Sequence, residues 1–170
     1  MIARSETIFK WLLYAAVTML FLLVQGLILQ QVRILGAMPF VYPLLAAVVA
    51  MFEDAMGGTI YALALGVLCD LTLPTPIPCF YTLILPAAAL CAALIARSLL
   101  PVGFVCAVAV SVLAFFWTDL FHCLLLAAGG KAAWSAGGLL FLQETAASLP
   151  VLLPLYWLLR KVWTHCHRYD

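Results

Sequence analysis

The strongest constraint on this sequence is a series of long apolar runs, the first of which covers about residues 11–29. Only 9% of the 170 residues are charged, 68% are hydrophobic, and the mean hydropathy is +1.20. A water-soluble domain is about 25% charged, and one of this size has too little interior to bury so much apolar surface. The sequence therefore predicts a protein whose solvent is largely the lipid bilayer.

The form of the apolar runs decides between the two architectures that span membranes. In hydrocarbon, backbone hydrogen bonds are satisfied only within helices or closed barrels. The runs are continuous and rich in Leu and Ala, without the alternation of polar and apolar residues that a barrel requires. We predict an all-α, polytopic integral membrane bundle of about six transmembrane helices, forming a single domain over residues 1–170.

Glycine, proline and charged residues divide the chain into these six helices. Two of them, the second and third, are shorter than the ~20 residues that cross a ~30 Å hydrocarbon core, which predicts thinned lipid or loops that dip inward. Residues 132–142 either lie along the membrane interface or begin the sixth helix, and Glu53 and Asp54 form a solvated turn. The predicted helices cover about residues 11–29, a stretch entered at Pro39 and Pro43 and ending near 52, then 59–71, 80–96, 102–127, and a last stretch ending near 159.

Basic residues predict the orientation of the bundle. Because basic residues concentrate on the cytoplasmic side of membrane proteins, both termini are predicted to be cytoplasmic, with a short N-terminal segment 1–10 and a basic tail 160–170. The net charge of +1 indicates no nucleic-acid partner. With six spans, one side of the membrane holds Arg4, Lys10, Arg97, Arg160, Lys161 and Arg168, and the other side holds Arg33 and Lys131.

Four residues spaced four apart, Gly58, Ala62, Gly66 and Asp70, share one face of the third helix. Small residues on such a face let a neighbouring backbone approach closely, as is usual between helices in lipid. One interpretation is a packing ridge in which Asp70 caps the proline-rich loop that follows or meets interfacial water. The alternative is that Asp70 takes part in partner binding or ion passage.

Three further ionisable residues, Asp119, His122 and Glu144, lie within predicted spans, where such groups are costly and often functional. Asp119 and His122 are three apart on one helix face and are able to pair. We interpret Asp119 as an internal helix–helix contact, and the alternative is a proton relay that also uses Glu144. No Ser/His/Asp set, HExxH, P-loop or GxGxxG motif is present. We therefore predict no enzymatic activity, no cofactor and no metal site.

The segment 58–71, GTIYALALGVLCDL, resembles the most recognisable part of the MreD family of rod-shape-determining membrane proteins. The family pattern is a glycine-bearing helix ending in G-x-x-x-D-[LM], which Gly66 and Asp70 match. A lone acidic residue in the penultimate long helix, here Asp119, and a basic C-terminal tail also fit. The chain departs from the family at Pro78, where a glycine is usual, so the loop that follows Asp70 is expected to differ in shape.

The resemblance implies a non-enzymatic scaffold of the bacterial cell-elongation machinery, in the cytoplasmic membrane. Its implied partners are a bitopic MreC-like protein and also MreB and the RodA/penicillin-binding-protein synthase. MreD-like proteins resemble the substrate-binding S-components of energy-coupling-factor vitamin transporters, so such a subunit is the rival function. Those subunits carry an Ala-x-x-x-Ala face on the first helix, whereas here Met19 and Leu20 follow Ala15 and Ala16.

Overall fold

A computed structural model describes residues 2–29, 31, 38–73, 77–98, 101–130 and 134–166 of the chain. Within these ranges the regular secondary structure is helical, without any β-strand. The all-α membrane bundle predicted from the sequence is therefore confirmed. The helices are α1 (Ile2–Val24), which a π-helical turn (Gln25–Leu29) continues, α2 (Tyr42–Phe52), α3 (Ala55–Thr72), α4 (Phe80–Ser98), α5 (Phe104–Ala128) and α6 (Trp134–Cys166).

Among the described residues, five helices are long and apolar enough to cross a bilayer, and large apolar side chains cover their outward faces. Apolar surface of this extent is stable in lipid and not in water. The protein is therefore a multi-pass membrane protein. The five candidate spans are Thr7–Leu27, Ala55–Thr72, Phe80–Ser98, Phe104–Ala128 and Gly137–His165.

The helices alternate in direction, which defines two ends of the bundle. At one end α1 begins and α2 stops, since Lys10 reaches Glu53 there. At the other end α3 stops and α4 begins, since Asp70 reaches Thr82. We call these the Lys10 end and the Asp70 end. Three helices (α1, α3 and α5) run from the Lys10 end to the Asp70 end, and α2, α4 and α6 return.

The short helix α2 lies at the centre of the bundle. All 11 of its residues are buried, and α3, α4, α5 and α6 pack around it. A helix of this length is only about 17 Å long. Because neighbouring helices separate α2 from lipid, its length does not have to match the bilayer. The short length of α2 therefore gives no reason to predict thinned lipid beside it.

One predicted helix boundary needs correction, and one open alternative is decided. The third helix begins at Ala55 and not near residue 59, because the Asp54 side chain caps it by accepting a hydrogen bond from Gly57 N at 3.2 Å. Its 18 residues span about 27 Å, close to the thickness of the hydrocarbon core. The last helix is continuous from Trp134, so residues 134–142 begin the sixth helix.

The predicted solvated turn before α3 is half wrong. Asp54 is exposed, but Glu53 is 8% exposed and is held inside the Lys10 end. Its carboxylate accepts hydrogen bonds from Lys10 Nζ at 2.6 Å and from Tyr14 Oη at 2.9 Å. A buried charge is tolerated only when it is paired and hydrogen-bonded. Glu53 therefore fastens α1 to the end of α2.

Side chains also satisfy the backbone groups at the start of α2, which lie in the protein interior. Gln25, in the π-helical turn, donates to Pro39 O at 2.8 Å and accepts from Val41 N at 3.2 Å. Ser148 of α6 accepts a hydrogen bond from Phe40 N at 2.9 Å. Unpaired backbone groups would be costly at this depth, so these two polar side chains fix where α2 enters the bundle.

Candidate functional site

The first half of the small-residue face of α3 packs against α2. A Cβ atom added to Gly58 would lie 2.6 Å from the Cα atom of Ala50, a separation that real structures do not show. Ala62, one turn further along α3, is fully buried. The absence of larger side chains at these two positions therefore allows the backbones of α2 and α3 to approach closely.

The second half of this face packs against the start of α4. A Cβ atom added to Gly66 would lie 2.6 Å from Tyr81 O and 2.8 Å from Thr82 Cα. Because both atoms belong to the backbone, rotation of a side chain cannot relieve the overlap. The structure therefore places Gly66 at a backbone contact between α3 and α4.

Asp70 completes this contact through its carboxylate. Oδ1 accepts a hydrogen bond from Tyr81 N at 3.0 Å, and Oδ2 accepts from Thr82 N at 2.9 Å and from Thr82 Oγ1 at 2.6 Å. The first backbone N–H groups of a helix have no partner within the helix, and they favour a negative charge. Asp70 thus accepts hydrogen bonds from N–H groups in the first turn of α4, which have no acceptor within that helix. Both carboxylate oxygens of Asp70 are occupied in this way.

A polar cavity of about 530 Å³ opens at the Asp70 end of the bundle. It is bounded by the π-helical turn, the residues before α2, and parts of α3, α4, α5 and α6. Side chains distant in sequence converge there. The lining includes Gln25, Phe40, Tyr81, Asp119, His122 and Glu144.

The three intramembrane polar candidates of the sequence all line this cavity, but they do not pair with each other. Among the described residues no hydrogen bond joins Asp119 to His122, so the predicted pair does not form. Oδ2 of Asp119 is shielded and has no hydrogen-bond partner. The His122 ring instead packs edge-on against Phe80, with 6.1 Å between ring centroids. Glu144, one turn before Ser148 on α6, makes no ion pair within the described part of the chain.

A second depression, of about 490 Å³, is apolar and lies between α1 and α3 on the bundle surface. Thr18 and Tyr61 share a hydrogen bond at its floor. Thr18 Oγ1 itself donates to the Tyr14 carbonyl, so Tyr61 is the donor in that bond. We call this depression the α1/α3 groove. Its lining residues are Trp11, Ala15, Thr18, Met19, Leu22, Ile60, Tyr61, Ala64, Leu65 and Leu68.

Sequence reasoning missed several residues that build these features, namely Gln25, Glu53, Tyr61 and Tyr81. A polar residue at the end of an apolar run, such as Gln25, is the one signal in the sequence that points to such a role. Tyrosines give no comparable signal, because they are common at membrane interfaces for other reasons.

Among the described residues, no group of three or more His, Cys, Asp or Glu side chains is arranged to hold a metal ion. Comparison of the chain with protein-family models, curated proteins and solved structures finds no match. The resemblances to MreD proteins and to the S-component fold therefore stay predictions, which rest on the residues quoted for them.

Proposed function

We propose that this protein is a non-enzymatic membrane scaffold that binds the transmembrane helix of a single-pass partner in the α1/α3 groove. The observation that supports this proposal is the groove itself, which is open to the bundle surface and has apolar walls. Its two polar floor groups, Thr18 and Tyr61, already bond to each other and to the chain. The two hydroxyl groups at the floor of the groove are therefore already hydrogen-bonded within the bundle.

The walls of the groove suit helix packing in a membrane. Ala15 on α1 and Ala64 on α3 are exposed and small, and both line the groove. In lipid, helix association depends on close van der Waals packing, to which small residues contribute most. Large exposed side chains, Met19 and Ile60, flank these alanines. A partner helix seated here would bury apolar surface against α1 and α3 together.

The partner and the cellular assembly in this proposal are those that the resemblance to MreD proteins implies. The partner is a bitopic MreC-like protein, and the assembly includes MreB and the RodA/penicillin-binding-protein synthase of the bacterial cytoplasmic membrane. Asp70 is not assigned to partner recognition, since its carboxylate oxygens are occupied by Tyr81 and Thr82. Its place in the proposal is to hold α3, one wall of the groove, against α4.

Filling the groove tests the proposal. Ala15→Leu and Ala64→Leu each place a larger side chain in the groove, so we expect each to reduce co-purification of a co-expressed MreC-like partner about tenfold, equivalent to about 1.4 kcal/mol. Ala16→Leu is the matched control, because Ala16 is also exposed on α1 but does not line the groove. The measurement is partner recovered per folded molecule after purification in mild detergent.

Two outcomes of this experiment would contradict the proposal. Equal losses for Ala15→Leu and Ala16→Leu would show that the groove is not the binding surface. Asp70→Asn should lower thermal stability without lowering partner recovery per folded molecule. A specific loss of partner with Asp70→Asn, at full stability, would move the interface to the Asp70 end.

A transporter subunit that binds a small molecule is the second candidate function, and the polar cavity is the observation that favours it. Ligand sites are cavities of roughly 300–1,000 Å³ with a few convergent polar groups, and the cavity of about 530 Å³ fits this description. The Ala-x-x-x-Ala face that such subunits carry on the first helix is missing. Co-purification with an ATP-driven coupling subunit would establish this candidate and overturn the scaffold.

The proposed orientation has both termini in the cytoplasm. It is motivated by the excess of basic residues on the side that holds the N-terminus. Cysteine substitution at Lys131 and at Arg168, in a chain without its native cysteines, tests it. Both positions lie outside the described residues. A membrane-impermeant thiol reagent added to whole cells should label position 131 and leave position 168 unlabelled, and the reverse pattern would invert the topology.

A further inference from the structure

Two carboxyl groups line the polar cavity at the Asp70 end. Asp119 reaches it from α5 and Glu144 from α6. Neither carboxyl group forms an ion pair with any described residue. The one ion pair among the described residues joins Lys10 to Glu53, at the opposite end of the bundle. A carboxylate at this depth is costly unless it is protonated or paired with a cation.

The other cavity-lining groups are divided between those in use and those available to a ligand. The Gln25 amide already forms hydrogen bonds with the backbone of Pro39 and Val41. The Thr118 hydroxyl donates to the carbonyl of Ala114 at 2.8 Å. The carboxylates of Asp119 and Glu144 are not used in this way, and Oδ2 of Asp119 lacks any hydrogen-bond partner. The groups available to a ligand are therefore the two carboxyl groups, together with the His122 imidazole and the Tyr81 hydroxyl.

Aromatic rings form another part of the cavity wall. Phe40 and Tyr81, both lining residues, pack with 5.8 Å between their ring centroids. The faces of such rings attract cations and also accommodate an apolar or aromatic body. The wall thus combines two carboxylates with aromatic surface, which is a combination that recognises an organic ammonium group.

We propose that this cavity binds a small organic cation, an amine with an aromatic or apolar body, whose ammonium group lies between Asp119 and Glu144. A single metal ion fits less well, because no three His, Cys, Asp or Glu side chains of the described residues are arranged to hold one. The volume of about 530 Å³ also exceeds what one ion fills. The inference rests on neither proposed function, since a scaffold or a transporter subunit can carry such a site.

A matched pair of probes tests this inference. Tyramine is a primary ammonium at neutral pH, and tyrosol has the same phenol and chain length with a neutral hydroxyl in place of the ammonium. Each is titrated by calorimetry into the full-length protein in nanodiscs of zwitterionic lipid, with empty nanodiscs as the blank. We expect saturable binding of tyramine and binding of tyrosol that is at least about tenfold weaker, because hydrogen bonds between charged groups are stronger than those of a neutral hydroxyl.

Variants link the binding to the two carboxylates. Asp119→Asn and Glu144→Gln preserve shape and remove charge, so each should weaken tyramine binding about tenfold or more and reduce its advantage over tyrosol. Asp54→Asn makes the same chemical change on an exposed residue at the Lys10 end and should bind tyramine as the native chain does. Thermal unfolding of each variant confirms that the bundle is intact.

Four results would overturn the inference. The first is equal affinity for tyramine and tyrosol, and the second is no saturable tyramine binding at millimolar concentration. The third is an equal loss of binding in folded Asp54→Asn and Asp119→Asn. The fourth is binding that appears only after Arg33→Gln or Lys131→Gln, which would make a cation of the chain itself the occupant. Arg33 and Lys131 lie outside the described residues.

Discussion

Gly66→Leu should lower the free energy of unfolding by about 3 kcal/mol or more, the upper range for overpacking a well-packed interior. The first added carbon would already lie 2.6 Å from Tyr81 O and 2.8 Å from Thr82 Cα. Relief requires α3 and α4 to separate, which also strains the hydrogen bonds from α4 to Asp70. Thermal unfolding in detergent measures the effect, and Ala64→Leu, in the open groove, should cost less than about 1 kcal/mol.

Two alanine substitutions separate backbone contact from general effects of helix composition. Gly66→Ala should still destabilise, because its Cβ atom alone overlaps with the backbone of α4. Gly138→Ala is the control in α6, where an added Cβ would meet nothing within 4 Å. There, alanine should be neutral or stabilising by up to about 1 kcal/mol, as its higher helix propensity predicts. Equal effects at positions 66 and 64, or at 66 and 138, would mean that the small-residue face is not a packing surface.

Glu53→Ala should lower the free energy of unfolding by about 3 kcal/mol, the lower part of the range for breaking a buried ion pair. The substitution leaves Lys10, whose side chain is 20% exposed, without its carboxylate partner, and it removes an acceptor from the Tyr14 hydroxyl. It also releases α1 from the end of α2. Thermal unfolding in detergent measures this loss, with Asp54→Asn as the adjacent exposed control.

A double variant distinguishes the ion pair from simple loss of packing. Lys10→Met with Glu53→Gln removes both charges and keeps most of the side-chain volume, so it should be more stable than Glu53→Ala. A double variant as unstable as Glu53→Ala would assign the effect to packing and not to the unpaired charge. A native-like Glu53→Ala would show that the ion pair does not hold α1 in place.

The sequence was sufficient for the helices that face lipid, because their apolar runs are long and local. Predicted and observed boundaries of the fourth and fifth helices differ by at most two residues. Other ends were predicted less well. Asp54 caps α3 four residues earlier than expected, α1 begins at Ile2 and not near residue 11, and α6 continues to Cys166 and not to about residue 159. The spacing of Gly58, Ala62, Gly66 and Asp70 was visible in the sequence. The sequence did not show that this face packs against α2 and α4.

The features that depend on distant residues emerged only from the tertiary structure. The cavity combines Gln25, Tyr81, Asp119 and Glu144, which belong to four separate parts of the chain. The burial and pairing of Glu53 could likewise not be predicted from the sequence, because its partners Lys10 and Tyr14 are about forty positions away. Local patterns report secondary structure, whereas such convergence depends on how the helices are arranged around each other.

The sequence by itself determined that this chain is a bundle of membrane helices, since no other fold satisfies its backbone and its apolar side chains together. It did not determine which apolar faces meet lipid and which meet protein. Lipid tails are as apolar as a leucine-rich interior, so the buried α2 and the partly exposed α1 are both apolar segments in the sequence. Shape decided between them: small residues permitted close backbone approach, and the few polar side chains bonded where those approaches brought them together.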